Sequence, residues 1–279
     1  MNKINLRGPL IRFKDGKKKA ITFSYDDGVK QDIRLIDIFD KHGLKGTFNI
    51  SSGLFAETEN SNGNRMTKEQ ALKLYTDSGH EIAGHALTHS FLERVPTEYA
   101  TWEIISDKRN LEELFGTVVR GFAYPFGEYD DNVVDILRLC GFTYARATDS
   151  TGQFEIPIKP LELCPTCHHN DPRLFELADR FLDTVPRHNA WLFYVWGHSY
   201  EFDDHDNWDV IEKFAEKVGG HDDIWYATNI EIFEYLEAFK SLRFSIDQTF
   251  VENPSNIDVW FSFAGDELMV KAGEKLKIQ

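Results

Sequence analysis

Two carboxylates, Asp26 and Asp27, stand side by side in the stretch S-Y-D-D-G, behind the apolar run K-A-I-T-F and ahead of a glycine. Asp and Gly are ordinary turn formers, but adjacent acids at the tip of a buried strand repel each other and must both shed water. Further along, G-H-A-L-T-H sets His85 and His89 four residues apart. On one helical turn such residues share a face, so two imidazoles can converge on one cation. Two imidazoles and one carboxylate leave positions open for water and substrate, a donor set that suits Zn2+ and equally Fe2+ or Co2+. Adjacent side chains in extended or turning backbone point apart. One aspartate would therefore be the ligand, and the other a base toward the attacking water.

Elements that could position these groups recur along the chain. Short apolar runs at 20–25, 45–51, 80–85, 121–125, 142–147, 191–196 and 224–228 read as strands. Amphipathic stretches at 30–43, 67–79, 96–116, 131–140, 173–185, 207–218 and 229–240 read as helices. The paired acids, the histidine pair, A-Y-P-F-G-E-Y-D (123–130) and W-G-H-S-Y-E-F-D (196–203, with His198) all follow strands. Regular βα alternation predicts a parallel sheet with outer helices, as an open doubly wound sheet or a closed barrel. Both collect functional groups at the carboxyl ends of the strands. The long irregular stretch 149–171 is expected to wall the site. From residue 243 the pattern changes to alternating apolar residues broken by turn signals, which predicts three or four antiparallel strands. The expected organisation is an α/β domain over 1–242 and a small β appendage over 243–279.

Composition narrows the partners. The 279 residues are 42% hydrophobic and 14% aromatic, enough for a sizeable core. Lys and Arg number 31 against 46 Asp and Glu, a formal charge of −15. That balance argues against nucleic acid and anionic membrane surfaces as partners and is compatible with a neutral or cationic substrate. The amino-terminal stretch has no apolar signal core, and no run reaches the roughly 20 apolar residues that span a bilayer, so a cytoplasmic location is expected. Cys140, Cys164 and Cys167 are poor material for a disulfide framework. C-P-T-C-H-H (164–169) matches a haem-attachment pattern or half a zinc site. The first needs an exported chain and the second another ligand pair, so a pocket-wall loop that brings His168 or His169 near substrate is the preferred reading.

T-F-S-Y-D-D-G, H-A-L-T-H, A-Y-P-F-G and W-G-H-S, in this order, resemble the polysaccharide deacetylases, carbohydrate esterase family four, over about residues 20 to 240. The resemblance implies a distorted (β/α)7 barrel and divalent-metal hydrolysis of an N- or O-acetyl group on a sugar. It makes Asp26 the catalytic base, and Asp27, His85 and His89 the ligands of one ion, Zn2+ first, with Co2+, Fe2+, Ni2+ or Mn2+ as alternatives. His198 becomes the general acid, and the backbone N–H of Phe126 an oxyanion donor. The chain also departs from the family pattern. Ala86 stands where Ser or Thr is usual, Ala123 stands where many members carry an arginine that orients the base, and the usual Asp-x-x-Asp-Trp motif is not recognisable. Arg146, near the end of F-T-Y-A-R-A, is expected to reach Asp26 in place of the absent arginine. A register shifted by one residue would instead turn it toward an outer helix. Tyr124, Phe126, Trp196, Tyr200 and Trp208 could stack on sugar faces or serve as ordinary packing. Other functions remain open: an amide or cyclic ureide/imide hydrolase on the same scaffold, a non-haem iron oxygenase (disfavoured by the βα repeat), and a non-catalytic sugar-binding module.

Overall fold

The computed structural model describes residues 8–59, 61 and 63–278, so the extreme amino terminus read for a signal segment lies outside the described residues. After a short strand β1 (Leu10–Arg12) come β2 (Lys19–Asp26), β3 (Gly46–Ile50), β4 (Glu81–Gly84), β5 (Gly121–Ala123), β6 (Tyr144–Arg146), β7 (Cys167–His168), β8 (Trp191–Gly197) and β9 (Ile224–Tyr226). The helices are α1 (Asp32–Lys41), α2 (Lys68–Tyr75), α3 (Thr97–Phe115), α4 (Asp131–Leu139), α5 (Leu174–Asp183), α6 (Glu201–Asp204), α7 (Trp208–Val218) and α8 (Asn229–Lys240). Local chemistry sets their ends. Thr67 and Thr228 each form a reciprocal capping box, with Gln70 and Glu231, at the starts of α2 and α8. The Asp130 side chain accepts from Val133 N at the start of α4.

The β2–β9 strands pair in parallel around a curled sheet in the order β6-β5-β4-β3-β2-β8-β7. One edge of β2 pairs along its length with β8. The other is divided between β9 at Lys19–Ile21 and β3 at Phe23–Asp26, which distorts the cylinder. The 149–171 segment, read from sequence as loop, contains β7 and joins the ends of the sheet. Leu163 bridges Arg146 of β6, while Cys167 and His168 pair with Val195 and Trp196 of β8. The result is a distorted (β/α)7 barrel. Among the described residues no helix is long and apolar enough to cross a membrane.

Strand alternation decides what faces the barrel axis. On β2, Phe23 packs outward against Phe39 of α1 (centroids 4.6 Å apart) and Phe214 of α7 (6.1 Å). Thr22 and Ser24 point inward into a buried polar lattice. Thr22 Oγ1 donates to Asn229 Oδ1 (2.8 Å), Asn229 Nδ2 to Tyr194 OH (2.7 Å), and Asn49 Nδ2 to Ser24 Oγ (2.9 Å). Glu81 receives Thr47 Oγ1, Tyr144 OH and Ile230 N, each at 2.8 Å. Burial without partners would cost each of these groups, so their mutual satisfaction is what allows a polar barrel axis.

The appendage contains β10 (Arg243–Phe244), β11 (Phe250–Glu252), β12 (Val259–Phe263), β13 (Asp266–Val270) and β14 (Lys275–Lys277) in two three-stranded sheets. One sheet includes β1, whose Leu10, Ile11 and Arg12 pair with Ser262, Phe261 and Trp260. Strands from both ends of the chain therefore build this sheet. Tyr235 OH of α8 donates to Arg12 O (2.7 Å) and accepts from Trp260 N (2.8 Å), fastening the appendage to the barrel.

Candidate active site

The inward alternation of four strands runs on to one mouth of the barrel. Asp26 continues Thr22 and Ser24, His85 follows β4, Arg146 ends β6, and His198 follows Trp196 on β8. After Asp26 the chain turns sharply. Asp27 has φ 85° and Gly28 φ 61°, a reversal glycine makes without strain.

Single ligand atoms of Asp27, His85 and His89 lie within 4.8 Å of one another. His85 Nδ1 sits 2.8 Å from the carbonyl oxygen of Ala123, an acceptor only, so Nδ1 carries the proton. Nε2 is left as a bare acceptor, buried and without a hydrogen-bond partner. Burial pushes the His85 imidazolium down to about 4 against the pull of Asp26, so the ring is neutral near pH 7. A neutral imidazole with an unmet buried lone pair, beside a second imidazole and a carboxylate, fits a divalent cation. The histidines do not lie on a helical turn, as the i, i+4 spacing suggested. They flank a loop in which Ala86 and His89 adopt φ 60° and 58°, and that reversal brings their ring centroids to 4.6 Å. Arg65 binds Asp27 through its carbonyl oxygen and through Oδ1 (2.9 Å). No sequence pattern marked Arg65.

Asp26 is 2% exposed and Arg146 is fully buried. The Arg146 Nη2 and Asn49 Nδ2 groups both donate to Asp26 Oδ1, the second over 2.8 Å. The guanidinium also lies 4.6 Å from the Trp196 ring centroid, in cation–π contact. Asp26 Oδ2 points to the opening, 3.9 Å from both His85 Nε2 and His198 Nε2. Burial alone would raise the Asp26 carboxyl. Arg146, with the two histidines, more than offsets this and holds it at about 2.

His198 is organised by Glu201, three residues on, a one-turn spacing within W-G-H-S-Y-E that the sequence reading passed over. The Nδ1 atom lies 3.2 Å from Glu201 Oε1. The other carboxylate oxygen, Oε2, is 3.2 Å from His168 Nε2 and 2.9 Å from His169 Nε2. Single ligand atoms of His168, Glu201 and His198 also lie within 4.8 Å of one another. However, Asn170 N donates to His168 Nδ1 (3.1 Å), which places the neutral ring's proton on Nε2, toward Glu201. The carboxylate is thus a hub for imidazole protons. Burial opposes its charge, but the imidazoles of His168, His169 and His198 close to it hold it far below the usual carboxylate range. Burial likewise tends to lower His198, and Glu201 with Asp26 reverses this and raises it. His169 is sandwiched between Tyr25 (centroids 5.6 Å) and Phe202 (4.2 Å). Its ring occupies the space a Cβ on Gly197 would take, so that position admits only glycine. His169 is therefore a buried support, and neither Cys164 nor Cys167 joins either donor cluster. If His198 donates a proton in turnover, Glu201→Gln should lower kcat by about tenfold with little change in KM and move the alkaline limb of the pH–rate profile to lower pH, because His198 loses the charge that holds its proton. Unchanged kinetics would contradict this role.

The aromatic residues divide. Phe126 is 48% exposed at the mouth, its ring 4.5 Å from that of His89 and stacked at 3.7 Å on Phe91. The Tyr200 ring lies 5.2 Å from His198. Tyr124 is completely buried, its hydroxyl donating to Leu161 O (2.7 Å), which removes it from any sugar platform. The Trp196 faces are spent on Arg146 and its neighbours, and Trp208 packs on Phe202 and under Arg34.

Residues 13–145, just under half of the chain, match the family model described as polysaccharide deacetylase. No curated protein matches the chain. Among the many similar solved structures are the following three. A Mycobacterium smegmatis protein assigned to the polysaccharide deacetylases is 20% identical, with TM-score 0.59 over 84% of this chain and 95% of that one. A family 4 acetyl xylan esterase from Clostridium thermocellum, in complex with a cobalt ion, is 17% identical, with TM-score 0.51 over 77% and 91%. The Streptococcus pyogenes deacetylase PplD, in complex with acetate, is 23% identical with TM-score 0.41, and the match spans 46% of this chain and only 55% of that one. At these identities the likeness to the first two speaks for the barrel fold alone. The family match takes in both the Asp26–Asp27 and His85–His89 motifs and ends before His198.

Proposed function

We propose that the protein is a metal-dependent hydrolase that removes N- or O-linked acetyl groups from a sugar or oligosaccharide. The observation that carries this reading is the unmet, buried Nε2 of His85, set between Asp27 and His89 and 3.9 Å from Asp26 Oδ2. Asp27, His85 and His89 would hold one divalent ion, with Zn2+ the first to test and Co2+ the second. When bound, the ion supplies Lewis acidity toward the acyl oxygen and the attacking water.

The chain's own groups do the rest. Asp26, kept anionic and pinned through Oδ1 by Arg146 and Asn49, presents Oδ2 to take the water's proton. His198, held at Nδ1 by Glu201, presents Nε2 to protonate the leaving nitrogen or oxygen. The backbone N–H of Phe126 would serve the developing oxyanion, and the exposed Phe126 ring and Tyr200 beside His198 would border the sugar. The acetyl xylan named for one similar structure supports an acetylated carbohydrate as substrate.

The decisive measurement is acetate release from a panel of N- and O-acetylated oligosaccharides, with chelator-treated protein and each metal restored in turn. The reading expects release that chelator abolishes and one metal restores. No acetate release, with metal-dependent turnover of a cyclic imide or ureide, would move the assignment to the amide-hydrolase alternative.

A further inference from the structure

Helix α3 carries Glu103 and Asp107 in its buried stripe, alongside Ala100, Ile104 and Leu111, all 0% exposed. Two acids four residues apart on the apolar face of a helix are a local conflict, since burying carboxylates is costly without compensating bonds. Neither forms an ion pair among the described residues. Both are spent on the loop that carries the proposed metal histidines. Asp107 Oδ2 accepts from the backbone N–H of His85 (3.0 Å), and its Oδ1 from Ser52 N (2.7 Å). Glu103 Oε2 accepts from Thr88 N (2.8 Å), its Oε1 from Thr88 Oγ1 (2.7 Å), and its carbonyl oxygen from Leu87 N (3.2 Å).

The loop needs such support. Ala86 and His89 are non-glycine residues in the left-handed region, each costing on the order of 1–3 kcal/mol, a conformation that persists only where its surroundings impose it. We infer that Glu103 and Asp107 are positioning residues that suspend the His85–His89 loop from α3 and set the convergence of its two imidazoles. The inference rests on the proposed metal site. It also accounts for Ala86: the loop is held through Thr88 and the backbone by α3, and needs no hydroxyl at position 86.

The test uses Co2+ alone, titrated into chelator-stripped full-length protein and followed by calorimetry and visible absorption. Wild type should bind one ion, and Glu103→Gln, Asp107→Asn and the mild, exposed-site Thr88→Ala should bind 10- to 100-fold more weakly, the usual range for groups that orient a ligand. Glu81→Gln is the control, a hydrogen-bonded carboxylate elsewhere in the barrel lattice. It should lower Tm and leave Co2+ affinity at the wild-type value. Wild-type affinity in both Thr88→Ala and Asp107→Asn, while His85→Ala loses the ion, would overturn the inference and leave the metal site standing. Equal weakening by Glu81→Gln would overturn it too, as general destabilisation. Failure of wild type to bind Co2+ would overturn the metal-site reading itself, and the inference with it.

Discussion

Asp26→Asn is expected to bind the divalent ion as wild type does and to lose roughly 10²-fold or more in turnover, the scale of general-base loss. The amide keeps the shape of the carboxyl group but cannot take the proton. The same substitution removes the anion facing a fully buried Arg146 and leaves that charge uncompensated. Breaking a buried pair this way costs about 3–5 kcal/mol. Tm should therefore fall by roughly 10 °C for a chain of this size. The two effects separate in the double variant Asp26→Asn, Arg146→Met, which should recover much of the Tm and none of the activity. Near-wild-type turnover in Asp26→Asn would refute the base assignment. A double variant no more stable than the single one would refute the account of the pair.

His85→Ala and His198→Ala should both abolish most activity for different reasons. Without His85 the donor set falls to one imidazole and one carboxylate, and the ion should be lost on dialysis. Activity should drop to that of chelated wild type, and added metal should no longer raise Tm, because a ligand stabilises only the state that binds it. Without His198 the ion should remain and still raise Tm, while kcat falls by roughly 10²–10⁴ through loss of the proton donor. Equal loss of metal in both variants would overturn the division into ligand and acid. If His85→Ala kept its ion, the ligand set would be wrong.

The sequence by itself determined the elements and the list of chemical groups. Helical and strand periods, capping threonines and terminal glycines are local, so the α3 stretch read as 96–116 is found at Thr97–Phe115, and the α8 stretch read as 229–240 at Asn229–Lys240. Asp26, Asp27, His85, His89 and His198 each end or follow a strand, and parallel βα architecture sends such positions to one end. Glu103 and Asp107 were visible in principle as acids interrupting an apolar stripe, and Glu201 as an acid one turn from His198. The tertiary structure alone decided what depends on contacts between distant segments. Strand order did not say which way Arg146 faces, because a shift of one residue reverses a strand's sides. Its pairing with Asp26 follows from the β5–β6 register, in which Ala123 lies beside Arg146. Barrel closure depends on Leu163 meeting Arg146 across a segment with no strand-like pattern. The convergence of His85 and His89 comes from positive φ angles that α3 and the loop after β3 impose, where the spacing alone suggested a helical turn. Periodicity is written in neighbouring residues, whereas register and loop conformation are settled by partners far away in the chain.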